Sequence, residues 1–176
     1  MMKQLLAALL IIFGTSSAFA HGPTPQRVEE TVSIAGSPEA VWAIVGNFAN
    51  LAAWHPLVEN CTGTGGNKAG AERTIELKSG GRIVEGLDEY DDAGRTYTYR
   101  LAKENVEAFP VSSYSATLTV RPAEEGSEVV WKASFYRADT GNYPAEDRDD
   151  AAAIAAMSAF FRTGLDGLKQ TMEARQ

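Results

Sequence analysis

Hydrophobic and polar residues alternate with a period of two through most of the middle of the chain. Such alternation is typical of strands that bury only one face, as in an antiparallel sheet. Gly80-Gly81, residues 91–94 and residues 124–126 provide turn signals between neighbouring segments. The alternating segments are residues 28–34, 57–63, 71–78, 82–90, 95–101, 113–121 and 127–137. Together they predict an antiparallel sheet of six to seven strands.

Helical patterns lie on both sides of these strands. Ser37 is a suitable N-cap and Pro38 a suitable first helical residue, so a short helix is predicted to begin here. A second short helix is predicted around Phe48, Leu51 and Trp54. Residues 144–174 predict one long amphipathic helix, with an apolar stripe of Ile154, Phe161, Leu165, Leu168 and Met172. We therefore predict an α+β fold in which a curved sheet wraps around the C-terminal helix and leaves a cavity.

Two glycines, Gly164 and Gly167, interrupt the interior of the long predicted helix. Each costs about 1 kcal/mol of helix stability relative to alanine, so a specific reason for them is expected. Either the sheet approaches the helix closely at these positions, or the missing side chains leave room for a ligand.

The first twenty residues have the features of a signal peptide. Lys3 precedes an apolar run from Leu5 to Phe13, and Ala18-Phe19-Ala20 follows as a cleavage site. The apolar run is short for a membrane span, although a retained anchor is the alternative. We interpret residues 1–20 as a signal peptide, 21–26 as an extended arm and 27–176 as one domain. This organisation predicts export, with a bacterial periplasm as the expected location and no membrane attachment after cleavage.

The charge and the cysteine content narrow the classes of partner. The formal net charge is −7, which argues against nucleic acid and anionic membrane surfaces, since both require basic patches. An acidic surface does allow a basic protein partner. Cys61 is the only cysteine, so an internal disulfide is impossible. It fits a buried small apolar residue better than a reactive thiol.

Aromatic residues on the predicted strands are candidates for a ligand pocket. The alternation places them on the face toward the C-terminal helix, where their large area suits an apolar or planar ligand. An ordinary sheet core would have the same composition, so both interpretations remain open. The candidate pocket residues are Trp54, Tyr97, Tyr99, Tyr114, Trp131, Phe135, Phe161 and Gly164.

His55 is the candidate catalytic residue. A general base must lie within hydrogen-bond reach of a substrate proton. The candidate carboxylate partners for it are Glu76, Glu85 and Asp88. The alternative is a histidine that caps the short helix or lines the mouth of the cavity. A similar choice, between binding an anionic ligand group and lying on a solvated strand face, applies to Arg73, Arg82 and Arg100.

The sequence predicts neither a metal site nor a cofactor. After cleavage His21 would be the first residue and could chelate copper, but it would need a third ligand, and His55 is the only other histidine. A disordered terminus is the alternative. The sequence contains no Cys/His cluster for zinc, no Gly-rich phosphate loop and no Gly-x-Ser-x-Gly motif.

Several short motifs occur in an order that is shared with a known superfamily. Residues 37–42, Phe48 and residues 54–56 resemble the amino-terminal signature of the START-like superfamily, also called SRPBCC or Bet v 1-like. The later motifs resemble its polyketide cyclase/dehydrase branch, and they are residues 72–74, 80–81, 85, 90–91, 97–99, 110–114, 131 and 135–137. A narrower set resembles the MxaD-type periplasmic accessory proteins of bacterial methanol oxidation, at residues 21–26, 135–137, the loop that contains Asn142, 151–165 and 168–169.

These resemblances imply a helix-grip fold and three possible functions. The narrower resemblance implies an accessory protein that assists electron transfer from a periplasmic quinoprotein methanol dehydrogenase to its cytochrome c. The alternatives are a protein that binds a small apolar or aromatic ligand, and a cyclase or dehydratase that uses His55. A non-enzymatic role without a cofactor is the favoured expectation.

Overall fold

The structure is a computed structural model in which residues 22–175 are described. The predicted signal peptide and His21 lie outside the described residues. The described elements are β1 (Gln26–Ile34), α1 (Pro38–Val45), a 3₁₀ helix (Leu51–Ala53), β2 (Val58–Thr64), β3 (Glu72–Leu77), β4 (Arg82–Asp91), β5 (Thr96–Lys103), β6 (Val111–Ala123), β7 (Gly126–Arg137) and α2 (Asp150–Glu173).

The seven described strands form one antiparallel sheet in the order β1-β7-β6-β5-β4-β3-β2. The strands from β2 to β7 each pair with their neighbours in sequence, as expected for strands joined by short turns. The last strand, β7, also pairs with the first strand, β1. The turn between β3 and β4 contains Gly80 and Gly81 at φ 89° and 92°, a conformation that favours glycine. The predicted sheet of six to seven strands is confirmed.

The long helix α2 packs against β1 and β7, and its buried residues share one core with the inward-facing residues of the sheet. This arrangement confirms the predicted helix-grip fold. The helix begins at Asp150 rather than at residue 144, because Asp149 is its N-cap and accepts a hydrogen bond from the Ala152 amide at 2.8 Å. The preceding loop is held in an irregular path by Arg137, which donates to the carbonyl oxygens of Asp139 and Gly141.

The connection between β1 and β2 contains the two predicted short helices. In α1 the Ser37 hydroxyl accepts from the Ala40 amide at 3.2 Å, and the helix buries Val41, Trp42, Ile44 and Val45. The second is a single 3₁₀ turn, Leu51–Ala53. It leads directly into residues 54–56, which cross over α2.

Candidate functional site

An apolar groove of about 290 Å³ opens between α2 and the loops at one end of the sheet. We call it the mouth groove. Leu57, which is 42% exposed, lines it from the loops, and the buried Phe160 lines it from α2. Alanines on α2 leave space in front of Phe160. The residues that line it are Leu57, Leu77, Ser79, Ala108, Phe109, Pro110, Ala156, Ala159 and Phe160.

Behind the mouth groove, the candidate pocket residues lie together in the interior between the sheet and α2. Trp131 stacks on Phe161 with ring centroids 4.3 Å apart, and its indole Nε1 donates to the Tyr99 hydroxyl at 2.8 Å. Trp54 lies 5.5 Å from Trp131, measured between ring centroids. All eight candidates are buried: Trp54, Tyr97, Tyr99, Tyr114, Trp131, Phe135, Phe161 and Gly164. Their contact with a ligand stays a prediction.

Gly164 and Gly167 allow residues 54–56 to approach α2 closely. A Cβ at position 164 would lie 2.6 Å from Cδ2 of His55 and 2.8 Å from Cζ3 of Trp131. A Cβ at position 167 would lie 2.4 Å from the Trp54 carbonyl oxygen and from Cδ of Pro56. Close packing therefore explains the two glycines. The packed neighbours are residues 54–56 in addition to Trp131 of the sheet, whereas the sequence predicted only the sheet.

His55 is buried, with 2% of its surface exposed, and both ring nitrogens bond to backbone. Nδ1 accepts from the Leu57 amide at 3.2 Å, so Nε2 carries the proton and donates to the Phe160 carbonyl oxygen at 3.0 Å. Burial lowers the pKa of His55 to about 4, and the nearby positive charge of Arg73 contributes to the shift. His55 is thus a neutral side chain that is already hydrogen-bonded on both sides.

Arg73 and Glu85 form a buried ion pair within the aromatic interior. They face each other across β3 and β4, and Arg73 Nε donates to Glu85 Oε2 at 2.5 Å. The pair is 1% and 2% exposed, respectively. Arg73 also donates to the Phe48 carbonyl at 2.7 Å, and the Tyr114 hydroxyl donates to the other Glu85 oxygen. The hydrogen bonds meet the requirement that a buried charge be paired and solvated by protein groups.

The surroundings of this pair shift the pKa of several side chains. Burial alone would lower the pKa of Arg73, but the attraction of Glu85 outweighs it and the pKa lies above its ordinary value. Burial and the negative charge of Glu85 raise the pKa of Tyr99 and of Tyr114 well above the ordinary range. Both phenols therefore stay protonated, with the Tyr114 hydroxyl donating to Glu85 and the Tyr99 hydroxyl accepting from Trp131.

Three side-chain donors in the interior have no hydrogen bond of regular geometry among the described residues. They are Nη2 of Arg73, the Tyr97 hydroxyl and Nε1 of Trp54, although Arg73 and Tyr97 interact with each other. The guanidinium is held between two rings, with its Cζ 4.2 Å from the centroid of Phe48 and 4.7 Å from that of Tyr99. A rigid, charged donor of this kind can recognise an acceptor atom such as a carbonyl or carboxylate oxygen.

The remaining candidate charges lie away from this interior. Arg82 pairs with Glu76 and Arg100 with Asp88 on the solvent-facing side, and the two arginine side chains are 64% and 61% exposed. The solvated strand face expected for Arg82 and Arg100 is therefore observed, whereas for Arg73 that expectation is wrong. No carboxylate among residues 22–175 hydrogen-bonds to His55, so the predicted supporting carboxylates do not meet it.

The alternation itself contains a signal for the buried pair that our sequence interpretation did not use. Arg73 is in phase with Ile75 and Leu77 along β3, all three being buried. Glu85 is likewise in phase with the buried Ile83 and Leu87 along β4. A charged residue on the apolar face of each of two adjacent strands predicts a buried ion pair.

The described residues show no sign of a metal centre. Between residues 22 and 175, no group of three His, Cys, Asp or Glu side chains is close enough to hold an ion. The possible copper ligand His21 lies outside this range. None of the described helices combines the length and hydropathy needed to span a membrane.

Comparison with known proteins gives one family and several similar structures. Residues 25–173 match the family described as polyketide cyclase/dehydrase and lipid transport. An uncharacterised protein from Bacillus thuringiensis is 27% identical with a TM-score of 0.70, over 84% of this chain and 99% of that one. The protein XoxI from Bacillus cereus is 30% identical with a TM-score of 0.66, over 86% and 96%.

A third structure, the Zhui aromatase/cyclase from Streptomyces sp. R1128, shares the fold. It is 17% identical with a TM-score of 0.66, over 86% of this chain and 96% of that one. None of the curated proteins that were compared matches the chain significantly.

Proposed function

Because this chain belongs to the polyketide cyclase/dehydrase and lipid transport family, we propose that it binds a small apolar or aromatic molecule in the mouth groove. The observation that carries this proposal is the groove itself, which is lined mainly by apolar residues and shares Phe109 and Phe160 with the aromatic core. Its volume of about 290 Å³ lies at the small end of known ligand sites. A ligand of one to three rings, or a short acyl chain, fits this size.

Binding without catalysis agrees with the state of the candidate acid and base groups. Both nitrogens of His55 are bonded to backbone, and Glu85 is bonded to Arg73 and Tyr114. Neither side chain is free to exchange a proton with a ligand unless existing bonds break first. A cyclase or dehydratase activity through His55 is therefore the less favoured alternative.

Filling the mouth groove is expected to prevent binding. In Ala159→Trp the indole would occupy the space in front of Phe160, and Ala159 is exposed, so the fold should tolerate the change. The fluorescent probe N-phenyl-1-naphthylamine reports binding to apolar sites by an increase in emission. We expect its Kd to rise about tenfold or more in this variant.

The matched control is Ala151→Trp, which adds the same side chain to the same helix about 12 Å away along its axis. Ala151 is also exposed and does not line the mouth groove. This variant should bind the probe as the wild type does. Failure of the wild type to bind, or equal binding by both variants, would refute the proposal.

As a second candidate we propose that the chain is exported and assists electron transfer from a quinoprotein methanol dehydrogenase to its cytochrome c. The observation in its favour is the formal net charge of −7, which would attract a basic partner. Such a role would use the outer surface and is compatible with ligand binding in the mouth groove.

Salt dependence provides the test of this second candidate. Protein recovered from a periplasmic fraction should begin at His21, as intact mass would show. At low ionic strength it should raise the rate of cytochrome reduction by the dehydrogenase, and high salt should abolish the effect because exposed charges are then screened. No rate increase at low salt, or a chain that retains residues 1–20, would argue against the candidate.

A further inference from the structure

His55 joins the two walls of the mouth groove. Its Nδ1 accepts from the amide of Leu57, which stands on one side, and its Nε2 donates to the carbonyl of Phe160, which stands on the other. These two residues are 103 positions apart in sequence, Leu57 in the turn before β2 and Phe160 in α2. The imidazole ring is the direct hydrogen-bonded link between them.

The ring of His55 is itself held firmly in place. It packs on the Phe160 ring with centroids 4.1 Å apart and meets Trp131 nearly at right angles, with centroids 6.1 Å apart. The absence of a side chain at Gly164 lets it approach α2, since a Cβ there would lie 2.8 Å from Nε2. Because these contacts restrain the ring, its two hydrogen bonds hold Leu57 and Phe160 at a fixed separation.

We propose that His55 is a positioning residue that sets the width of the mouth groove, and so the affinity for a small apolar ligand. The inference rests on the proposed function of that groove. His55 is buried and does not line the mouth groove, so it acts through the backbone of Leu57 and Phe160 without contacting the ligand. Losing the bond to Leu57 frees one wall and leaves the partly buried Leu57 amide without its acceptor.

Protonation breaks the same link. A proton on Nδ1 would place an N–H group against the Leu57 amide, so the charged imidazole cannot keep this bond. Among the described residues the charge that acts on the ring is that of Arg73, which disfavours a second positive charge. The other groups packed on it are Trp54, Phe160, Gly164 and Trp131, none of which is charged.

The test compares three proteins with N-phenyl-1-naphthylamine as the probe. His55→Gln keeps a donor that can reach the Phe160 carbonyl but has no acceptor atom at the position of Nδ1, and we expect its Kd at pH 7 to be about tenfold higher than that of the wild type. Ile34→Ala is the control for lost stability, because Ile34 is 1% exposed and lies near Gly36, as does Met172 at the other end of α2. It should bind the probe normally.

The pH profile separates a positioning role from a general loss of packing. The wild-type Kd should nearly double between pH 7 and about pH 4, where only half of the free protein keeps His55 neutral, whereas His55→Gln should show no such rise. Circular dichroism of the same samples verifies the fold. A normal Kd for His55→Gln at pH 7, or identical pH profiles, would overturn this inference.

The outcome for Ala159→Trp distinguishes the two proposals. If that variant binds the probe normally, the mouth groove is not the site and both proposals fail. If it blocks binding while His55→Gln does not weaken it, only the positioning role fails.

Discussion

Replacing Glu85 by glutamine is expected to lower the free energy of unfolding by about 3 to 5 kcal/mol, the usual result of removing one partner of a buried ion pair. The substitution keeps the shape of the side chain but leaves the guanidinium of Arg73 charged and 1% exposed without a counter-ion. Urea denaturation at pH 7, monitored by tryptophan fluorescence, measures the change as a shift of the transition midpoint.

Glu76→Gln is the matched control. It removes a carboxylate from the exposed ion pair that Glu76 forms with Arg82 across the same two strands, β3 and β4. Its urea midpoint should remain close to that of the wild type. The double variant Arg73→Met/Glu85→Leu should be more stable than Glu85→Gln, because no unpaired charge remains. If Glu85→Gln and Glu76→Gln had the same midpoint, the buried pair would not have the importance that we assign to it.

Acid is expected to destabilise the wild type through His55 by about 3 kcal/mol, since one pKa unit corresponds to about 1.4 kcal/mol. The pKa of His55 is about 4 in the folded protein and 6.5 in a model peptide. The unfolded chain therefore takes up the proton first as the pH falls. This contribution to stability is complete above about pH 6.5, is lost progressively toward pH 4, and changes no further below that value.

The measurement is the free energy of unfolding at several values between pH 7 and pH 4, in the wild type and in His55→Gln. The carboxylates titrate in both proteins, so the difference between the two pH dependences isolates His55. We expect the wild type to lose more stability than the variant over this interval. Parallel curves would show that His55 is not held neutral in the fold.

The strands could be predicted from the sequence because alternation is a local property. One buried face and one solvated face impose a period of two, and glycine-containing turns separate the segments, so the seven predicted strands agree with β1 to β7 within a few residues. The start of α1 was equally local, since Ser37 caps it from within the same turn. The superfamily resemblance then indicated that the sheet wraps around the C-terminal helix.

The first residue of α2 could not be predicted correctly from the sequence, which indicated residue 144 instead of Asp150. Residues 144–149 are compatible with a helix by composition, but Asp149 caps α2, the Arg148 carbonyl accepts from the Asp139 amide, and the Arg148 guanidinium pairs with Glu107. These contacts outside the helix, rather than local propensity, accompany the later start of α2.

What the sequence by itself determined is the set of strands and helices and the faces that they bury. Only the tertiary structure decided that Glu85 lies opposite Arg73, and that His55 meets the carbonyl of Phe160, 105 residues further along the chain. Periodicity specifies which face a residue occupies, but strand register and the approach of α2 determine which side chain lies across from it. The hydrogen bonds of the candidate site depend on those partners, so they became visible only with the fold.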